Sequence, residues 1–360
     1  MCNLAIRIAL EEDPRNRFEL ITSSYHRLKS YGLHSHYILS ACEIAHSVYK
    51  NNNRKSDPYI KRAFIKLDSQ SYVFDNRKLR IPTKPRHFIH IAVEDSDYHR
   101  SVLDGLSLKR GSVTLTDRAV CIALSKETAT IKPLGKLGID TNERNVTWSD
   151  SQNNTKRLDT SEIAEIKARY RSLRAKIAKR TQKDMRVQRK LLNKYGRRER
   201  YRTMQRLHII SKTVVEHAKR EQLCIVMERL KGIRRLYRKG NGQGTLFRGR
   251  MNTWTFHEIQ RQIEYKASWE GIAVVYVNPR GTSRNCSCGS RVIELDNRQV
   301  WCPNCDKIWD RDVLASKNIM ARMVLRARPS RGRSEKEPKP KEETVILRPD
   351  ERKLAYPTTS

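Results

Sequence analysis

The sequence predicts a multidomain protein of the mixed α/β class that also carries an all-β module and a helical module. Apolar residues recur at helical spacing over residues 14–67, and short alternating runs follow over 70–133. From 136 to 326, short buried strands alternate with long helical stretches, and a cluster of four cysteines interrupts them. A chain of 360 residues is long enough for two or three such domains.

The first part of the chain is predicted to hold the helical module and a small β-barrel. The apolar run at residues 4–10 is assigned as a strand, so residues 1–11 and 69–133 form the predicted barrel. Residues 12–68 form the predicted helical module. In it, Phe18, Ile21, Tyr25 and Leu28 follow a spacing of three and four residues.

The second part is predicted to alternate strands with helices. Two strands at 136–149 share a polar turn, a helical region spans 160–220, and a buried strand follows at 223–227. The Gly- and Arg-rich stretch 231–252 is predicted to be a mobile loop over nucleic acid. A helix at 254–270, a strand at 272–277 and a helix at 312–326 complete this part, and residues 327–360 are predicted to be a disordered tail.

The formal net charge of +35 indicates a polyanionic partner. Residues 161–210 contain 17 Lys and Arg against 4 Asp and Glu, a local net charge of +13. So few acids leave little scope for ion pairs along the helix, which favours a phosphate-facing surface over a solvated helix pair. Because no apolar run approaches the roughly 20 residues of a membrane span, nucleic acid is favoured over membrane. With no secretory signal, we expect a cytoplasmic protein of a prokaryote.

Four clustered cysteines predict a structural zinc site. Cys286 and Cys288 form one pair and Cys302 and Cys305 the other, the pattern of a zinc ribbon over residues 282–308. The first pair has one intervening residue where two are usual, so reduced, unligated thiols are the alternative. The four other cysteines are isolated and are interpreted as core residues.

Three acidic residues stand where strands end or a helix begins. Asp140 follows an apolar run, Glu228 follows another, and Asp312 opens a helix. Taken singly they could be a turn residue, a salt-bridged strand end and a helix cap. Taken together they favour a site for divalent metal, which activates water and stabilises the leaving oxygen in phosphodiester cleavage.

Five stretches of the chain resemble the TnpB family, the transposon-encoded RNA-guided nucleases related to type V CRISPR effectors. Residues 137–147, 225–234 and 310–319 are similar to the family's three RuvC motifs. Residues 260–266 and 278–283 are similar to the segment that leads into its zinc ribbon. The resemblance covers residues 70–325 and fades before them.

The resemblance implies an RNase H-like (RuvC) nuclease domain at 134–281 and 309–326, with the zinc ribbon inserted. Asp140, Glu228 and Asp312 would be the catalytic acids and would bind Mg²⁺, as two ions. The helical module would be a recognition lobe and the barrel a wedge. Asp310 matches a companion acid and is interpreted as a helix cap or as a residue that supports the catalytic acids from behind, and Leu314 stands where the family usually has Asn.

The function expected on this basis is that of an RNA-guided DNA endonuclease of a transposable element. Its partners would be a guide RNA from the transposon end and double-stranded target DNA, with no membrane. The alternatives are a nuclease-dead RNA-guided DNA-binding protein and an accessory transposase or recombination protein. The oligomeric state stays open.

Overall fold

The structure is a computed structural model that describes residues 1–52, 56–103, 108–237, 240, 242–323 and 341–349. For residues 341–349 it describes the backbone only. The chain divides into two compact units. The first contains Met1–Glu127 and the strand at 341–349, and the second begins at Thr128.

The first unit opens with three helices, α1 (Cys2–Glu12), α2 (Arg17–Lys29) and α3 (Ser35–Asn51). The strand predicted at residues 4–10 is therefore wrong. Ala5, Ile6, Ile8 and Ala9 are all buried, which is the spacing of one helix face and not of a strand. These residues pack against α2 and α3 in one apolar cluster, so the first eleven residues belong to the helical module and not to the barrel.

The strands of the first unit form one sheet. Its elements up to residue 127 are β1 (Ile65–Leu67), β2 (Val73–Asp75), β3 (Lys78–Lys84), β4 (His87–Glu94), α4 (Asp97–Leu103), β5 (Leu108–Leu115) and β6 (Val120–Lys126). The described neighbours pair antiparallel, and β1 and β2 lie at the two edges. The prediction of strands over 69–127 is confirmed, whereas the predicted strand at 128–131 is irregular backbone.

The second unit combines a mixed sheet, helices on both faces and a small three-stranded sheet. Its strands are β7 (Gly135–Thr141), β8 (Asn145–Asp150), β9 (Thr155–Asp159), β10 (Leu223–Glu228), β11 (Val274–Val277), β12 (Ile293–Glu294), β13 (Gln299–Cys302) and β14 (Lys307–Asp310). Its helices are α5 (Ser161–Arg180), α6 (Met185–Arg220), α7 (Thr245–Thr253), α8 (Phe256–Trp269) and α9 (Arg311–Ala321), with 3-10 turns at Ile233–Tyr237 and Asp296–Arg298. The five-stranded sheet has the order β11-β10-β7-β8-β9, in which β7, β10 and β11 are parallel and β8 and β9 antiparallel to their neighbours.

Alternation along the strands assigns each face of the five-stranded sheet to different helices. Leu137, Ile139, Ile225 and Met227 pack in one apolar cluster with residues of α6 and α8. The residues between them point to the opposite face, where Val226 packs with Ile319 of α9 and where Gly138 lies against the α9 backbone. Asp140 and Glu228 therefore lie on the α9 face.

A seventh strand lies in the middle of the first unit's sheet and joins its two halves. Backbone pairing places β15 (Lys341–Pro349) antiparallel to β6 and to β4. The prediction of a disordered tail is thus wrong at these positions, and the rest of the predicted tail lies outside the described residues. The stretch predicted as a mobile loop at 231–252 contains a 3-10 turn and α7.

Among the described helices, none is both long enough and apolar enough to cross a membrane.

Candidate active site and cysteine cluster

The three predicted acids lie at one end of the five-stranded sheet, on its α9 face. Asp140 is one residue beyond Ile139, which pairs with Met227 of β10. Glu228 follows Met227, so Asp140 and Glu228 are neighbours across two parallel strands. Asp312 lies in the first turn of α9, and that helix packs against β7 and β8. The structure therefore brings together three residues that are far apart in sequence.

Two asparagines of the turn between β7 and β8 connect the acids. Nδ2 of Asn142 donates to Oδ2 of Asp140 at 2.7 Å and to Oδ1 of Asp312 at 3.1 Å. Nδ2 of Asn145 donates to Oδ2 of Asp312 at 3.1 Å. Because one amide nitrogen bonds both carboxylates, Asp140 and Asp312 are no farther apart than two hydrogen bonds.

Two arginines neutralise Asp312, which is only 1% exposed. Arg298, from the turn before β13, donates from Nη2 to Oδ1 of Asp312 and from Nε to Oδ2 at 3.3 Å. Arg157 of β9 donates from Nη2 to Oδ2 of Asp312 at 3.1 Å. Burying a carboxylate costs free energy unless cations or hydrogen-bond donors contact it, and Asp312 is contacted by both.

Asp140 is buried with less compensation. Burial raises the pKa of Asp140 to about 7, and the charges of Glu228 and Asp312 add to that rise. The hydrogen bond from Asn142 and the charge of Arg298 act in the opposite direction. An acid that is half protonated near neutral pH can be ionised fully by an added cation.

Glu228 is fixed from two sides. Oγ1 of Thr282 donates to its Oε1 at 2.5 Å, and Nε2 of Gln260 donates to its backbone carbonyl at 2.8 Å. Burial raises the pKa of Glu228, and the Thr282 hydrogen bond partly offsets that effect. The charge of Arg322 also lowers the pKa of Glu228, whereas Asp312 accepts hydrogen bonds from two arginines directly.

Asp310 acts as the cap of α9, as the sequence predicted. Its Oδ1 accepts from the backbone N–H groups of Asp312 and Val313 at 2.9 and 3.1 Å. Arg157 also donates to both of its carboxylate oxygens at 2.7 Å. Asp310 thus orients Asp312 and shares its arginine.

The donor set suits a hard divalent cation. Carboxylate oxygens are the protein ligands that Mg²⁺ takes, and a cation would favour the ionised forms of Asp140 and Glu228, whose pKa values burial raises. Among the described residues, the sulfur atoms of the four clustered cysteines all lie within 4.8 Å of one another. The carboxylate oxygens of the three acids are spaced less closely than that. The Asn142 amide lies between two of the acids, so metal binding requires it to turn aside.

Sequence reasoning identified the acids but missed their neighbours. Asn142 and Asn145 stand in the predicted turn directly after Asp140, where amide side chains at a strand end could have been considered. Arg157 and Arg298 are two of many arginines, and no spacing distinguishes them. Only the fold shows that both reach Asp312.

The four predicted zinc ligands converge. Sγ of Cys286 lies 3.9 Å from Sγ of Cys305, and Sγ of Cys288 lies 3.6 Å from Sγ of Cys302. A tetrahedral zinc site with bonds near 2.3 Å has sulfur–sulfur edges of about 3.8 Å. The spacing therefore fits zinc.

The short first pair of cysteines is closed by a glycine turn. The N–H of Gly289 donates to the carbonyl of Cys286 at 2.9 Å, and Gly289 has a φ of +92°, a conformation that favours glycine. The backbone N–H of Ser290 is the main cause that lowers the pKa of the Cys288 thiol, to about 5. A cysteine that ionises readily is a good metal ligand.

Leu314, the residue that departs from the resembling motif, has a packing role. It is 1% exposed and belongs to one apolar cluster with Cys286, Val292, Val300 and Cys302. It therefore joins α9, which carries Asp312, to the core of the cysteine-bearing sheet.

The predicted basic surface lies on α5 and α6. Glu199 is 6% exposed and pairs with Lys167 at 3.2 Å and with Arg174, which ties the two helices together. Tyr201 has 73% of its surface accessible, and the ring of the partly exposed Tyr195 is approached by Lys194 and Arg198. Arginine and exposed tyrosine on one surface can contact both phosphates and bases.

Comparisons with known proteins agree with this description. Residues 256–319 match the family model described as "Cas12f1-like, TNB domain". A TnpB-like protein of Methanocaldococcus jannaschii is 34% identical over 257 residues, which are 69% of this chain and 91% of that protein. The CRISPR-associated endodeoxyribonuclease Cas12f1 of Sulfoacidibacillus thermotolerans is 33% identical over 118 residues, which are 31% of this chain and 25% of that protein.

One solved structure is similar over most of the chain. It is a cryo-EM structure of a Cas12f1–sgRNA–target DNA complex, with a TM-score of 0.56 and 14% sequence identity. The match covers 89% of this chain and 79% of that one. It therefore shows a common fold.

Proposed function

The chain belongs to the family of TnpB-like proteins, related to the type V CRISPR effectors, and we propose that it is an RNA-guided DNA endonuclease of a transposable element. The observation that carries the proposal is the meeting of Asp140, Glu228 and Asp312 at one end of a mixed sheet. The named endodeoxyribonuclease among its relatives supports a nuclease.

The three acids form a single RuvC-like site. When bound, Mg²⁺ supplies an activated water and stabilises the leaving oxygen in phosphodiester hydrolysis, and two ions fit this chemistry. Asp140 and Glu228 supply carboxylates that burial has left short of positive charge. Asn142 and Arg298 hold Asp312 in place, and Arg298 brings a guanidinium that can bind a phosphate oxygen.

The rest of the chain binds the nucleic acids. The formal net charge of +35 and the basic surface of α5 and α6 suit a guide RNA paired with a DNA strand, held by its backbone and shape. The first unit's helices and sheet take the roles of recognition lobe and wedge. Structural zinc at the four cysteines fixes the ribbon that carries Arg298.

The proposal is tested with protein purified together with its co-expressed RNA. That complex is offered plasmid DNA that carries a site matched to the RNA and randomised flanking sequence. We expect cutting that requires Mg²⁺, requires the matched site and is lost in Asp140→Ala.

Two outcomes would contradict the proposal. Guide-dependent binding by the wild type without cutting indicates a nuclease-dead binding protein. Cutting that is equally efficient on plasmids without the matched site would mean that the RNA does not direct the cutting.

A further inference from the structure

A cavity of about 880 Å³ opens beside the candidate active site. One wall is the loop that follows β10, and the other is the start of α8. Gln260 lines the cavity and also donates to the carbonyl of Glu228 at 2.8 Å, and Arg229 follows Glu228 directly. The cavity lies on the α8 face of the five-stranded sheet and the acid side chains lie on its α9 face, so the two meet at the end of β10, where Gln260 bonds the backbone of Glu228.

The inner wall of the cavity is aromatic. Trp254 and Phe256 meet edge to face with ring centroids 5.9 Å apart, and Tyr276 of β11 lines the cavity beside them. Phe256 and Tyr276 are partly exposed. Burial, together with Glu264, raises the pKa of Tyr276 to about 12, so its ring stays neutral. Aromatic faces of this kind stack on nucleobases of any sequence.

An unmet donor lies in the same wall. The indole N–H of Trp254 is buried and has no acceptor among the residues that the structure describes. A buried donor without a partner is costly, and because the atom is closed off in this structure, an acceptor on a ligand reaches it only if the wall shifts.

The rim of the cavity is cationic. Arg229, Lys231 and Arg234 line it, and within the described parts of the chain their side chains form no ion pair. Arg261 also lines the cavity, although it is paired with Glu258 at 2.7 Å. Free cations around an aromatic pocket complement a phosphate that follows a stacked base.

We propose that this cavity is a nucleotide subsite that holds an unpaired base of the DNA strand being cut, within a few nucleotides of the scissile phosphate. The inference rests on the proposed nuclease function, since it is the cut strand that must pass Glu228. A stacked base fixes the strand where it passes the end of β10, so that the scissile phosphate a few nucleotides away stays at the acids. Phe256 is then a positioning residue.

The test combines a substitution in the protein with an abasic site in the DNA substrate. Single-stranded DNA oligonucleotides matched to the guide, each with one abasic site at a successive position, are offered to the complete protein–RNA complex with Mg²⁺. For the wild type, we expect an abasic site at one position within a few nucleotides of the cut to slow cleavage by roughly 5- to 100-fold, the loss of one base stack.

In Phe256→Leu, which keeps an apolar side chain but loses the ring face, intact DNA should be cut more slowly by a similar factor. The abasic site at that same position should then add little. Phe256→Tyr should behave as the wild type does. The matched control is Phe18→Leu, an exposed phenylalanine of the first unit, for which abasic and protein effects should multiply at every position.

The inference is overturned if Phe256→Leu and every abasic position act independently while the wild type still cuts. That result leaves the proposed function intact, whereas a wild type that cuts nothing refutes the proposed function itself. A folded Phe256→Leu protein is verified by an unchanged unfolding temperature, and if it does not fold, Tyr276→Leu at the neighbouring ring of the same wall takes its place in the comparison.

Discussion

Asp140 is the residue whose environment defines the site. It ends a buried strand and faces two other carboxylates, and only the Asn142 amide donates to it among the described side chains. Burial and the neighbouring charges oppose its ionisation. The ionised site is therefore destabilising to the metal-free fold, which is a common property of sites that bind cations.

Replacement of Asp140 by Asn should stabilise the metal-free protein in a pH-dependent way. The pKa of Asp140 is about 7 in the folded protein and about 3.9 in an unfolded chain. The stability that this protonated acid contributes is present below pH 4 and is lost as the pH rises through 7. Asp140→Asn avoids that loss, so its advantage should grow from about pH 4 to pH 8, by on the order of 4 kcal/mol at most. Thermal unfolding without Mg²⁺ measures this difference in stability at each pH.

Asp150 provides a control of opposite sign. Burial raises the pKa of Asp150, but hydrogen bonds from Asn154, Gln152 and His217 outweigh burial and lower it. Asp150→Asn should therefore destabilise the protein above the pKa of an unfolded aspartate, and the loss should vanish in acid. An advantage of Asp140→Asn that is equal at pH 5 and pH 8 would contradict the account.

At this scale, the sequence predicted the acids but not the residues that hold them. Asp140, Glu228 and Asp312 could be found because each stands at the end or start of a recognisable element. Arg298 could not, because its position depends on the packing of the cysteine-bearing sheet onto α9. Its role in the catalytic site stays a proposal.

At the scale of elements, the approach of β7 to α9 sets the spacing of the acids. A Cβ at Gly138 would lie 2.2 Å from the backbone oxygen of Ser316 and 2.7 Å from the backbone nitrogen of Met320. Neither atom is a flexible side-chain end, so only glycine permits this contact. Asp140 lies two residues along β7, and Asp312 one turn before Ser316 on α9.

Gly138→Ala should push α9 away from the sheet. We expect a loss of stability of about 1–3 kcal/mol, typical of overpacking, and a larger relative loss of cleavage because Asp140 and Asp312 separate. Denaturant unfolding and single-turnover cleavage measure the two effects.

Gly196→Ala is the matched control for that change. Gly196 lies within α6 and a Cβ there meets nothing within 4 Å, so alanine should stabilise the helix by up to about 1 kcal/mol and leave cleavage unchanged. If Gly138→Ala cuts DNA as fast as Gly196→Ala, the spacing argument fails.

The cysteine cluster links metal binding to the site through Arg298 and Leu314. Cys302→Ser should lose the zinc, of which we expect about one per chain in the wild type, and should lower cleavage although no acid is changed. Cys121→Ser, at an isolated cysteine of the first unit, should retain both. Metal analysis of protein kept reduced measures the zinc content, and wild-type protein without zinc would refute the proposed zinc site.

The elements were predicted best where periodicity was long and clear. The helices over 160–220 and the strands at 135–150 and 223–228 follow the pattern. Residues 4–10 did not, because a short apolar run has the same composition in a buried strand and in a buried helix. β9, which carries Arg157, is mostly exposed and polar, and such a strand has no alternation to detect.

At the scale of the whole molecule, the net charge of +35 should make RNA binding depend steeply on salt. Each phosphate contact that is lost lowers the slope of log affinity against log salt by somewhat less than one. Arg197→Ala on the exposed surface of α6 should reduce that slope for the co-purified RNA. Equilibrium binding between 50 and 200 mM salt, a range typical for such measurements, provides the slope.

Tyr201→Ala separates stacking from charge on the same surface. It should weaken binding at every salt concentration and leave the slope unchanged, because stacking releases no counterions. An unchanged slope in Arg197→Ala would mean that this surface of α6 does not face phosphate.

The central claim is that Asp140, Glu228 and Asp312 form one catalytic site that cuts guide-matched DNA. The most direct measurement is single-turnover cleavage with Mg²⁺ by Asp140→Asn, Glu228→Gln and Asp312→Asn, with DNA binding measured alongside and Asp117→Asn, an exposed acid of the first unit, as the control. We predict that each of the three cuts at least about 10³-fold more slowly, that two changes together cost little more than one, and that binding persists. Cleavage near the wild-type rate by any of the three would contradict the account.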